Sequence, residues 1–192
     1  VFIDGMAYAR RATDGTFQGV FKVGQDVTAR IQAEAARHTE DARMRVHIED
    51  GRDFIERHPD CYDIVVLDSF SAEEIPPHLL TVEFLQSVRA SLAPEGIAVA
   101  NIWGRADNRI YDNMLQTYRA AFEDTYIFDV PGPGTKILAA LTRRCVMTRG
   151  EMLAKIAAVA TERAFRYDII QALAGFRNSD AERLRGGVVL RD

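Results

Sequence analysis

Cysteine is scarce in this chain. Two occur in 192 residues, Cys61 and Cys145, far apart and without metal-ligand spacing. That excludes a disulfide-stapled miniprotein, and two buried free thiols in a reducing compartment are expected. No apolar run approaches the roughly 20 residues that a membrane helix needs, so no membrane span is expected. A strong charge of one sign is also missing. Twenty-four basic against 28 acidic residues leave a net −4, and no basic field exists to draw nucleic acid. His38, His47, His58 and His78 are scattered, so no metal site is expected. Val1 is not followed by a basic stretch and an apolar core. No signal peptide is read there, and the cytoplasm is the expected location. The start at Val1, without Met, suggests a trimmed chain.

What is present is the balance of a globular protein, 47% hydrophobic and 27% charged. The middle of the chain alternates strand-like and helix-like segments. Arg45-Val46-His47-Ile48 alternates polar and apolar side chains before the turn signal Asp50-Gly51. Ile64-Val65-Val66-Leu67 is a β-branched run of the kind buried on both faces of a sheet. Gly96 to Ile102 is a third strand. Between these last two lies a helix with Leu85, Val88 and Leu92 on one face, stopped by Pro94 and Gly96. A second helix carries Ile110, Met114, Tyr118 and Phe122, each four apart. Thr125–Val130 and Lys136–Leu141 close the series as a hairpin around Pro131-Gly132-Pro133-Gly134.

Alternating strands and helices imply right-handed crossovers and an α/β fold. The expected architecture is a mostly parallel, doubly wound sheet with an antiparallel hairpin at one edge. Val20–Val23 reads as a further strand. Val1–Gly5 reads either as the first strand and turn or as half of an N-terminal hairpin, and both readings stand. Residues 1–148 form the expected main domain. Residues 149–192 form a C-terminal helical extension and a charged, Gly-containing tail on the surface from Arg177 onward.

In such sheets ligands bind outside the carboxyl ends of the strands. Asp26, Asp50 and Asp68 each follow a strand, and together they predict a rim suited to a nucleoside and a cation. Each has a plainer reading. Asp50 suits a helix cap and Asp26 another, while Asp68 suits a turn. Asp68 nonetheless ends a strongly apolar strand, where a carboxylate is costly unless solvated or paired, and this favours a catalytic or binding role. Glu73 and Glu74 read as a solvated loop face or as an attraction for an amine. The Gly132–Lys136 stretch lacks phosphate-loop spacing, and Ser69 and Ser71 lack a nucleophile elbow.

The stretch Asp41-Ala42-Arg43-Met44-Arg45-Val46-His47-Ile48-Glu49-Asp50-Gly51-Arg52-Asp53-Phe54-Ile55 resembles the third-strand region of the spermidine synthase family. Tyr62-Asp63-Ile64-Val65-Val66-Leu67-Asp68-Ser69 resembles its following strand. Ile75 to Phe84 is similar to its entry to the next helix, and Leu92-Ala93-Pro94-Glu95-Gly96 to its next link. The likeness is to a divergent spermidine-synthase-like branch. It implies a methyltransferase-like Rossmann fold, a homodimer, and aminopropyl transfer from decarboxylated S-adenosylmethionine to a diamine such as putrescine. On that resemblance Asp68 is the catalytic aspartate. Asp50, Gly51, Asp26 and Ser69 hold the nucleoside, and Glu73 and Glu74 face the diamine. The sequence departs from the family in three places. Asp4-Gly5-Met6-Ala7-Tyr8 stands where a Gly-rich loop is usual, Gly24 stands two before Asp26 in place of an acid, and Ser71 replaces a second aspartate. Three functions follow from this pattern: aminopropyl transfer, methyl transfer from intact S-adenosylmethionine to a small acceptor, and a non-catalytic homologue.

Overall fold

The β-branched run of residues 64–67 lies inside strand β4 (Tyr62–Asp68), next to β5 (Leu92–Trp103) in the middle of an eight-stranded sheet. The computed structural model describes residues 5–11, 17–23, 44–47, 49–59, 62–68, 76–130, 132, 134–145, 147–163, 165 and 168–192. The remaining strands are β1 (Gly5–Arg11), β2 (Phe17–Val23), β3 (Met44–His47), β6 (Asp124–Asp129), β7 (Thr135–Leu141) and β8 (Phe176–Asn178). Their order across the sheet is β3-β2-β1-β4-β5-β7-β6-β8. The pairs β2–β3 and β4–β5 are parallel, and the other five are antiparallel. Followed across the sheet, these pairings point β2 to β6 in one direction and β1, β7 and β8 in the other. The carboxyl ends of β3, β4 and β5 therefore share one rim.

Among the described residues four helices dress this sheet: α1 (Gly51–Glu56), α2 (Val82–Ser91), α3 (Tyr111–Ala121) and α4 (Arg149–Glu162). The first three bury Phe54, Leu85, Val88, Met114 and Leu115 against Val65, Leu67, Ala98, Ala100 and Ile102 in one core. Each fully buried Leu or Val contributes about 1.5–3 kcal/mol, so a Leu115→Ala cavity would cost about 2–5 kcal/mol. Helix α4 opens with a capping box, Thr148 with Glu151. It sets Met152, Leu153 and Ile156 against a second cluster of Tyr126, Leu173 and Phe176.

Several expectations are refined. Val65 and Leu67 are buried but Ile64 is 40% exposed, so the β4 run is sealed on the α1–α3 face and open at Ile64 on the other. Strand β5 begins at Leu92, earlier than its proline and glycine suggested, because a register irregularity absorbs the extra residues between Tyr62–Leu92 and Ile64–Ile97. Of the Val1–Gly5 stretch, residues 1–4 lie outside the described residues; Gly5 opens β1, which pairs antiparallel with β2, the strand that contains Val20–Val23. The late hairpin is β6 with β7, whose turn has Gly134 at φ +66°.

The tail departs furthest from expectation. Strand β8 extends the sheet beside β6. Residues 182–192 then form a strap across α2 and α3, with Leu184 and Val189 packed on the main core. The Val82 N–H donates to the Leu190 carbonyl at 2.9 Å, and the Leu190 N–H donates to Thr117 Oγ1 at 3.0 Å. Gln116 Nε2 donates to the carbonyls of Gly186 and Gly187 at 3.2 and 2.9 Å. Gly187 has φ +99°, and a Cβ there would lie 2.9 Å from the backbone of Asp112, so glycine is what lets the strap come this close. Charge and glycine read as a surface tail because the inward Leu and Val are only two among many polar residues.

Candidate active site

Asp68 is the last residue of β4 and stands exposed on the rim. The parallel register sets Leu67 beside Ala100, which brings Asn101 of β5 alongside Asp68. Asn101 Nδ2 donates to Asp68 Oδ1 at 3.2 Å. The amide's other atom, Oδ1, is buried without a hydrogen-bond partner among the described residues. Turning the amide over would set two oxygens against each other, so the donor orientation is the chemically sensible one. A carboxylate pinned through one oxygen keeps the other for a cation or for a proton donor. Sequence reading missed Asn101 because it sits in an apolar run and acquires meaning only from the strand beside it.

Asp50 follows β3 and caps α1. Its Oδ1 accepts from the N–H groups of Arg52 at 2.8 Å and Asp53 at 3.3 Å, while Oδ2 lies 3.1 Å from His78 Nε2. Partial burial pushes this carboxyl up. The two backbone donors and His78 outweigh that, and hold it below the usual carboxylate range. The cap reading of Asp50 therefore holds. A carboxylate offers about four acceptor positions, so a ligand contact is compatible with capping. Gly51 is the first residue of α1. His78 reaches Asp50 from a single helical turn, Pro77–Leu79, that begins at the second of two adjacent prolines. Its spacing of 28 residues carried no signal in the sequence.

The strap closes on this corner. Arg52 Nη1 and Nη2 donate to the two oxygens of Asp192 at 2.7 and 2.6 Å, and Nη1 also reaches the His78 carbonyl at 3.5 Å. Bonding to Arg52 holds the Asp192 carboxyl down at about 2. Arg57 pairs with Glu49, beside Asp50.

Asp26, Ser69, Glu73, Glu74 and Cys61 lie outside the described residues. Cys145 is a free, half-buried thiol. Among the described residues no cluster of three His, Cys, Asp or Glu could hold a metal ion. No helix there is long and apolar enough to cross a membrane.

Comparison with known proteins adds to this geometry. The polyamine aminopropyltransferase of Vibrio vulnificus (strain CMCP6) is 39% identical over 90 residues, 45% of this chain and 29% of that one. The human eEF1A lysine and N-terminal methyltransferase is 34% identical over 109 residues, 50% of this chain and 15% of that one. The chain thus spans less than a third of the length of these two relatives. A crystal structure of a probable spermidine synthase from Corynebacterium glutamicum ATCC 13032 superimposes with a TM-score of 0.63 at 21% identity. It covers 83% of this chain and 61% of that one, and it shows the shared fold. The family model for the spermine/spermidine synthase domain matches residues 26–137, which contain β3 to β6 with Asp50, Asp68 and Asn101. By that match over more than half its length, the chain belongs to the spermine/spermidine synthase domain family.

Proposed function

We propose that this chain transfers the aminopropyl group of decarboxylated S-adenosylmethionine to a diamine such as putrescine. An attacking amine is mostly ammonium at neutral pH and must lose a proton before its lone pair can form the new carbon–nitrogen bond. Asp68 is the group that holds this cation and accepts its proton, and Asn101 fixes the carboxylate while it does so. The sulfonium carbon is already activated, so alignment of the amine supplies much of the remaining acceleration. Asp50 and Gly51 at the start of α1 bind the nucleoside, together with Asp26 and Ser69. Glu73 and Glu74 attract the far end of the diamine. The protein works as a cytoplasmic homodimer.

The observation that carries this reading is the exposed Asp68 carboxylate, pinned by Asn101 on the rim where the strands end. Methyl transfer from intact S-adenosylmethionine is the second reading, and the 34% identity to the human methyltransferase favours it. Calorimetric titration with 5′-methylthioadenosine and with S-adenosylhomocysteine separates the two. We expect the first nucleoside, the by-product of aminopropyl transfer, to bind more tightly. A preference for the second moves the assignment to methyl transfer, and silence from both overturns each reading in favour of a non-catalytic homologue.

A further inference from the structure

Between the loop that leads into α3 and the start of the strap lies a cleft of about 590 Å³, lined by Arg105, Glu182, Arg183, Leu184 and Arg185. Arg105 is a fixed cation in its wall. Its Nε and Nη2 donate to Asp112 Oδ1 at 3.1 and 2.5 Å, Nη1 to Glu182 Oε1 at 3.3 Å, and Nη2 also to the Arg183 carbonyl at 3.2 Å. The guanidinium lies 4.9 Å from the centre of the Tyr111 ring. Both acids at this spot are committed through both oxygens. Glu182 Oε2 accepts from Arg177 at 3.1 and 2.8 Å, and Asp112 Oδ2 accepts from the Arg185 N–H at 3.2 Å.

Arg183 and Arg185 differ. Their backbone is held by those same bonds, while Leu184 between them packs inward on the core. Arg183 and Arg185 both line the cleft, on either side of that inward leucine. Both residues are exposed, and Arg185 also lies close enough to Asp112 to help hold its carboxyl low. The cleft's charged lining is thus three arginines, Arg105, Arg183 and Arg185, against the single carboxylate of Glu182. That local excess of guanidinium stands in a chain whose net charge is −4.

We propose that this cleft binds a phosphate group. Guanidinium forks match phosphate oxygens in geometry, and a phosphate monoester carries about −1.5 to −2 at neutral pH, a charge that exposed arginines attract. The phosphate comes either as the free ion or on a small organic molecule. Amide NMR titrations of the whole chain with inorganic phosphate and with glycerol 3-phosphate, against sodium chloride at equal ionic strength, test this. We expect saturable shifts confined to residues around Arg105 and 182–185, and at least a tenfold loss of affinity in the double variant Arg183→Gln/Arg185→Gln. Tighter binding of glycerol 3-phosphate identifies an organic ligand, and equal binding identifies the free ion. Equal shifts from chloride, or an unchanged affinity in a double variant with an unaltered circular dichroism spectrum, overturn the proposal. The chloride control does so even where the variant misfolds.

Discussion

Two aspartates end up on the same rim of the sheet, and they are held in opposite ways. Asp50 is bound into the fold: it caps α1 with two hydrogen bonds and lies beside His78, and its carboxyl is held low as a result. Asp68 is exposed and takes a single side-chain hydrogen bond, from an Asn101 whose other amide atom is buried without a partner among the described residues. A carboxylate with several internal donors serves stability. One with few donors, supported by a neighbour whose own bonding is incomplete, fits the role proposed above for Asp68 toward a ligand. Incomplete bonding of a buried polar atom carries a cost of about 1–3 kcal/mol, which selection for stability alone would remove.

The largest expected effect tests that division directly. On the proposed function, Asp68→Asn preserves shape and removes the base, so aminopropyl transfer should fall by about 10²–10⁴-fold while the thermal midpoint stays put. A variant that instead loses stability and keeps its rate would place Asp68 with Asp50. Next comes Asn101→Leu. Transfer should fall by about tenfold, because the carboxylate is no longer pinned, a loss worth about 1.4 kcal/mol of barrier. Urea unfolding should show the variant stabilised by about 1 kcal/mol, since the buried orphan oxygen is gone.

Asp50→Ala reverses the pattern. It should cost about 1 kcal/mol in urea unfolding, as loss of an N-terminal cap does, with a smaller effect on rate than either change above. The smallest effect is in acid. Because folding lowers the Asp50 pKa from its ordinary 3.8, its contribution is fully present above about pH 4 and fades as pH falls through the folded value. The stability gap between the parent and Asp50→Ala should therefore narrow on acidification. A gap that widens in acid would contradict the cap assignment.

Legibility followed locality. The β4 run, the helix over Val82–Ser91 and the cap at Asp50 were readable because composition and short spacing determine them. The start of β5 was hidden by Pro94 and Gly96, which stop a helix but are tolerated in a strand with an irregular register. Asp68 could be picked out by its position after an apolar strand. Its partner could not, because Asn101 is 33 residues away and only the β4–β5 register brings them together. The same holds for His78 beside Asp50 and for the arginines of the strap. Each is one polar residue among many until the chain has folded.

The strap also sets an order of events. Leu190 bonds a residue 73 positions earlier and Asp192 one 140 positions earlier, so these contacts wait until long after their partners have been made. Chains emerge from the ribosome amino end first, and domains begin folding as they do. Helices α2 and α3 are thus made well before the residues that cover them. During that interval the seats of Leu184 and Val189 are open to water and to chaperones.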